Sequence, residues 1–144
     1  MHEETILRSP EREIAILVAG DGLSVTRARC AAGERVAGRH LHRKHIDAFY
    51  VLEGELTFEL GPQSEEVTVA AGGLAAVPPG VVHSVRNASD RDAAWLTIHA
   101  PDGGFADFMR GVRDGVDVEW DIAPPPPDGG LPAAEAVVRR GRRR

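Results

Sequence analysis

The 144 residues carry 17 Lys and Arg against 22 Asp and Glu, a formal charge of −5, which argues against a nucleic-acid-binding protein as a whole. With 42% apolar and 27% charged residues, the composition is that of a soluble globular domain, and the length fits one domain with a proper core. No apolar run approaches the ~20 residues of a membrane span, and residues 1–10 show no leader pattern, so the expectation is a cytoplasmic protein with no membrane partner.

Turn residues recur every eight to twelve positions, and the segments between them read as strands. In chain order these are Ile14–Ala19, ended by Gly20-Asp21-Gly22; Leu23–Ala31, which holds Cys30; Arg35–His42; and Ile46–Leu52, closed by Glu53-Gly54-Glu55. Leu56–Leu60, Glu65–Ala70, Leu74–Val77, Val81–Asn87 (behind Pro78-Pro79-Gly80) and Ala93–Ala100 follow. A lone cysteine excludes an internal disulfide and reads as a small apolar strand residue. About nine short strands with tight turns predict an all-β sandwich or barrel, with a core over about 14–100 of a single 1–144 domain.

Past the strands the pattern changes. Phe105, Phe108, Met109 and Val112 recur at helical spacing between Gly104 and Gly115, which predicts a short amphipathic helix over about 103–114, capped by Asp102 or Gly103. Pro124–Pro127 must be extended, and Ala133–Val138 reads as a final turn or an edge strand. Arg139, Arg140, Arg142, Arg143 and Arg144 crowd the end of the 122–144 tail, and a terminal cluster of this kind reads as a solvated end.

The chemistry concentrates in four residues. Side chains in a strand alternate faces, so His40 and His42 project together while Leu41 faces away. A carboxylate, Asp47, lies on the next strand, and His83 follows Pro78-Pro79-Gly80 on a distant one. One strand histidine is more often a core residue than a ligand. Three with an acid suit a divalent transition ion (Fe, Mn, Ni, Cu, Co or Zn), and affinity order alone does not choose among them. His45, two residues before Asp47, is the alternative fourth ligand or a residue of the barrel mouth. Phe49 and Val51 share the parity of Asp47 and are expected to line a substrate cavity. Trp95, Thr97 and His99 share one face of the last strand, with Leu96 and Ile98 on the other; parity does not settle which face is inward, so His99 is either a cavity acid/base or a surface residue, the second being preferred. An apolar lining suggests a small organic substrate over a sugar phosphate, although Arg39, Arg43, Lys44 and Arg86 lie near the motif strands.

Gly33 to Gly54, GERVAGRHLHRKHIDAFYVLEG, and Gly72 to Asn87, GGLAAVPPGVVHSVRN, resemble the two signature motifs of the cupin superfamily. The resemblance implies a double-stranded β-helix (a jelly-roll-type barrel) with His40, His42, Asp47 and His83 at a metal. Relatives usually have glutamate at Asp47, and the shorter aspartate either reaches the ion, binds through water or yields to His45. Three histidines with an acid resemble the iron and manganese dioxygenase cupins. Four histidines are more similar to cupin-type polyketide cyclases. Val118–Val138 is similar to tails of small single-domain bacterial cupins, loosely likened to quercetin 2,3-dioxygenases. The resemblance thus implies a metal-dependent dioxygenase of a small phenolic or enolic compound, with Asp47 as ligand or catalytic base. Its alternatives are a non-oxidative cyclase or isomerase and a non-catalytic ligand-binding cupin. A homodimer formed through edge strands is the expected assembly.

Overall fold

The computed structural model describes residues 3–142. Two antiparallel sheets face each other. The larger is seven-stranded and runs in the order β1 (Glu4–Arg8), β2 (Arg12–Ala19), β3 (Ser24–Cys30), β10 (Ala93–Ala100), β5 (Ile46–Glu53), β8 (Leu74–Val77) and β11 (Val137–Arg139). The smaller is four-stranded: β4 (Arg35–His40), β9 (His83–Arg86), β6 (Glu55–Leu60) and β7 (Glu65–Ala70). The neighbours in each sheet are mostly far apart in sequence, which is the double-stranded β-helix expected of the motifs.

Alternation decides which side chains enter the interior. Along β10, Ala93, Trp95, Thr97 and His99 are buried while their neighbours are partly exposed. On β5, Asp47, Phe49 and Val51 point inward, and Ile46, Tyr50 and Leu52 face out. One end of the space between the sheets is filled by Val51, Leu56, Phe58, Val69, Val77 and Val85, all essentially inaccessible. Each such side chain contributes about 1.5–3 kcal/mol on burial. The other end stays open and holds the histidines. Gly54 makes the β5–β6 turn at φ +69°, and a side chain there would collide with the Asp92 carbonyl.

Several elements depart from the sequence reading. β1 has no counterpart in it, because Glu4–Arg8 neither alternates clearly nor carries a turn glycine; it forms a hairpin with β2 through Ser9-Pro10-Glu11. The strand expected over Arg35–His42 ends at His40, and Leu41 makes an isolated bridge to Ala123. Residues 133–139 are both of the expected alternatives in succession, a 3-10 turn over Ala133–Glu135 and then β11. The arginine run is not a free end as far as it is described: Ala70 N donates to the Arg140 carbonyl and Arg142 N to that of Ala71. Arg143 and Arg144 lie outside the described residues.

The helix α1 (Phe105–Asp114) buries Ala106 and Met109 against Ile6 and Ile16. Val112, expected on that apolar face, is 51% exposed. Gly104 takes the N-cap position, and Asp102 supplies the carboxylate, accepting from Gly104 N and Ala106 N at 3.0 and 3.1 Å. Glu4 clamps the helix to β1 through Arg110 at 3.0 Å and Arg113 at 2.8 Å. Among the described residues no helix is long and apolar enough to cross a membrane.

Candidate metal centre

Four side chains converge at the open end of the barrel. His40 and His83 are register partners across β4 and β9, His42 follows the end of β4, and Asp47 enters from β5. Ligand atoms of His40, His42, Asp47 and His83 all lie within 4.8 Å of one another. His42 Nε2 and His83 Nε2 stand 3.2 and 3.1 Å from the same oxygen, Asp47 Oδ2. Aspartate is therefore long enough to share the site, and the spacing matches ligands held about 3 Å apart by metal bonds of roughly 2.1 Å.

The other nitrogen of each ring explains why these imidazoles fit an ion. His40 Nδ1 contacts the Gly38 carbonyl at 2.6 Å, His42 Nδ1 the Asp121 carbonyl at 2.6 Å, and His83 Nδ1 the Val81 carbonyl at 3.0 Å. A carbonyl only accepts, so each Nδ1 carries the hydrogen and each neutral ring presents an Nε2 lone pair. Two such lone pairs then face a carboxylate oxygen, an arrangement that a cation between them stabilises. Burial, reinforced by the facing His83, lowers the His40 pKa from the ordinary 6.5 to about 4, which keeps that ring in its ligating form. Burial alone would raise the Asp47 carboxyl; with no ion present, His42 and His83 outweigh it when their Nε2 atoms carry hydrogens and donate to Oδ2, holding the group well below the ordinary carboxylate range. Asp47 Oδ1 has no hydrogen-bond partner although it is buried. The donor set thus fits a divalent transition ion.

His45 does not join this set. Both of its nitrogens are engaged, Nδ1 by Asp121 Oδ2 at 2.8 Å and Nε2 by His99 Nδ1 at 3.1 Å. It is buried. A side chain at Gly103 (φ +67°) would come within 2.5 Å of His45 Nδ1, so the glycine there allows the close approach. Of the two alternatives for His99, the preferred surface position is wrong: it is 2% exposed and lies inward on the cavity, because the β10 register puts it opposite Asp47. Burial lowers its pKa to about 4 as well.

A cavity of about 460 Å³ opens beside the cluster, within the range of small-molecule sites. His40, Asp47, Phe49 and His99 reach it, and Trp95, Phe105, Phe108, Met109 and Trp120 supply much of an apolar wall. Phe49 lines the cavity as expected. Val51 does not; one turn of the strand pattern further on, it is packed in the core. Arg39 reaches the cavity, whereas Arg43, Lys44 and Arg86 do not line it.

Sequence reasoning missed Trp120 and Asp121. Trp120 stacks on Phe108 with ring centroids 5.0 Å apart. Asp121 accepts from Arg43 N at 3.0 Å, Lys44 N at 2.7 Å and His45, pinning the turn between β4 and β5. A tryptophan beside an acid in an otherwise featureless stretch was the available signal, since a large aromatic side chain usually finds cover.

A family model for the cupin domain matches residues 26–99, and the chain belongs to the cupin family. A search of curated proteins finds no match. Among solved structures the chain is similar to TT1209 from Thermus thermophilus at 28% identity, with 67% of this chain and 90% of that one covered and a TM-score of 0.58. It is similar to KdgF from Halomonas sp. at 19% identity, covering 68% and 86% with a TM-score of 0.59, a likeness of fold alone. A sugar phosphate isomerase of the cupin superfamily from Silicibacter pomeroyi matches at 25% identity, covering 62% and 59% with a TM-score of 0.55.

Proposed function

We propose that the protein is a metal-dependent oxygenase of a small phenolic or enolic compound. The observation that carries this reading is the placement of His40 and Asp47 on the wall of a cavity lined mostly by aromatic and aliphatic side chains. A divalent transition ion held by His40, His42, His83 and Asp47 supplies a Lewis-acidic centre for substrate oxygens and, where redox-active, a route for electrons to dioxygen.

The chain's own residues do the rest. Carbonyl-fixed Nδ1 hydrogens keep three rings aimed without reorganisation. Asp47 stays ionised on the cavity wall, in the role of a base for a bound hydroxyl. Phe105, Phe108 and Trp120 exclude water above it. Arg12 and Arg39 are the cationic side chains among the lining residues, and no cluster of donors is arranged there to grip a phosphate. The apolar wall therefore favours a different substrate class from that named for the Silicibacter pomeroyi neighbour.

Oxygen uptake tests the reading. Protein loaded separately with Fe, Mn, Ni, Co, Cu or Zn is expected to consume dioxygen with a flavonol or related enediol in at least one redox-active form. Turnover that continues under nitrogen, with zinc as effective as iron, would replace it by Lewis-acid cyclisation or isomerisation. We infer a homodimer as the working form, since β1 leaves a sheet edge and Ile46, Tyr50 and Leu52 stand exposed on the outer face; light scattering reads this directly.

A further inference from the structure

A line of hydrogen-bonding groups outside the ligand set runs from the edge of the site to the cavity. It starts at Asp121, whose carboxylate only accepts, so His45 donates from Nδ1 across 2.8 Å. His45 Nε2 must then be an acceptor, and its partner at 3.1 Å is His99 Nδ1. His99 therefore carries its hydrogen on Nδ1 and presents a lone pair at Nε2. Its ring plane is held by Phe105, stacked at 4.0 Å with an interplanar angle of 16°.

His99 Nε2 lies 3.4 Å from Asp47 Oδ1, the buried oxygen that lacks a hydrogen-bond partner. Two acceptors thus stand side by side on residues that line the cavity. A core histidine whose only task is packing would have both nitrogens satisfied. This one leaves Nε2 without a donor on the cavity wall, and calls for one from whatever fills the cavity. A neutral hydroxyl meets that need, whereas an ammonium group would be stripped of its water by the apolar wall.

We propose that His99 is a substrate-positioning residue: its Nε2 receives the O–H of a phenol or enol bound in the cavity. Asp121 and His45 set the tautomer that makes this possible. The inference rests on the cavity being the substrate site, and it adds a second anchoring point for the substrate beside the ion.

Calorimetric titration of the metal-free full chain with 1-naphthol and with 1-methoxynaphthalene tests it, because the two differ in the donor alone. Naphthol is expected to bind on the order of tenfold more tightly than its methyl ether. His99→Phe is expected to reduce that preference severalfold while ether binding persists. His45→Leu, which frees the His99 ring to turn over, should reduce it too, and His45→Gln, which can accept from His99 and donate to Asp121, should restore part of it. Independently of any variant, nitrogen chemical shifts of labelled wild-type protein are expected to report an Nδ1–H tautomer for His99. Equal affinity for the two naphthalenes overturns the proposal, as does an Nε2–H or doubly protonated His99. Neither measurement uses metal or oxygen, so their failure beside intact oxygen uptake would remove this role for His99 and leave the oxygenase reading standing.

Discussion

On one side of Asp47, His40, His42 and His83 take their tautomers from main-chain carbonyls. On the other, His45 and His99 take theirs from one side chain, Asp121, which is 76 residues away from His45 in the chain. The ligand wall is thus fixed by backbone that no substitution removes, while the second wall depends on a carboxylate that a single mutation deletes. The two are separable by experiment, although both face the same cavity.

The largest effect is expected on the ligand wall. His83→Ala removes a buried ligand, and bound metal measured by elemental analysis should fall from about one equivalent to below a tenth. Chelation of the wild type should lower its melting temperature, since an ion at 100 times its dissociation constant stabilises by about 2.7 kcal/mol. Asp121→Ala is the sharper contrast. It strips partners from the exposed Arg43 N and Lys44 N and from the buried His45, the last at about 1–3 kcal/mol for a buried group left unpaired. Metal affinity should drop far less than in His83→Ala, because His42 keeps its carbonyl partner. Equal metal loss in the two variants would break the separation of the walls.

Acid touches both walls at once. His40 and His99 have folded pKa values lowered from 6.5 to about 4. Between those values the unfolded rings bind protons and the folded ones do not, so stability falls as pH drops through this window and levels off below it. Denaturant midpoints of the metal-free protein at pH 7 and pH 4.5 should differ accordingly, and coincident midpoints would contradict the burial of both rings. The smallest effect belongs to the exposed side of α1: Val112→Ser should shift stability by no more than about 0.5 kcal/mol, against a loss of about 2 kcal/mol or more for Met109→Ala.

Local spacing made much of this molecule readable in advance. The i, i+2 pair at His40 and His42, the turn at Pro78-Pro79-Gly80 and the alternation around Phe49 depend on neighbours in sequence, and they foretold the barrel and the four converging residues. What escaped depends on distant partners. Parity on β10 could not say which face was inward; the pairing of His99 with Asp47 decides it. Val51 has the parity of a lining residue, yet the core closes over it because Leu56, Phe58 and Val69 fill that end of the barrel. The second wall was invisible because Trp120 and Asp121 belong to no motif and act on residues some eighty positions earlier.

One consequence lies far from the histidines. Val137–Arg139 pairs with Leu74–Val77, and Ala70 N is bonded to the Arg140 carbonyl beyond it. This last strand is a selvedge on the larger sheet: it occupies main-chain donors and acceptors of β8 that would otherwise be free. A chain cut before Val137 would lay that seam bare, a template for stitching one molecule to the next, so shortened versions are expected to clump while the intact chain stays dispersed.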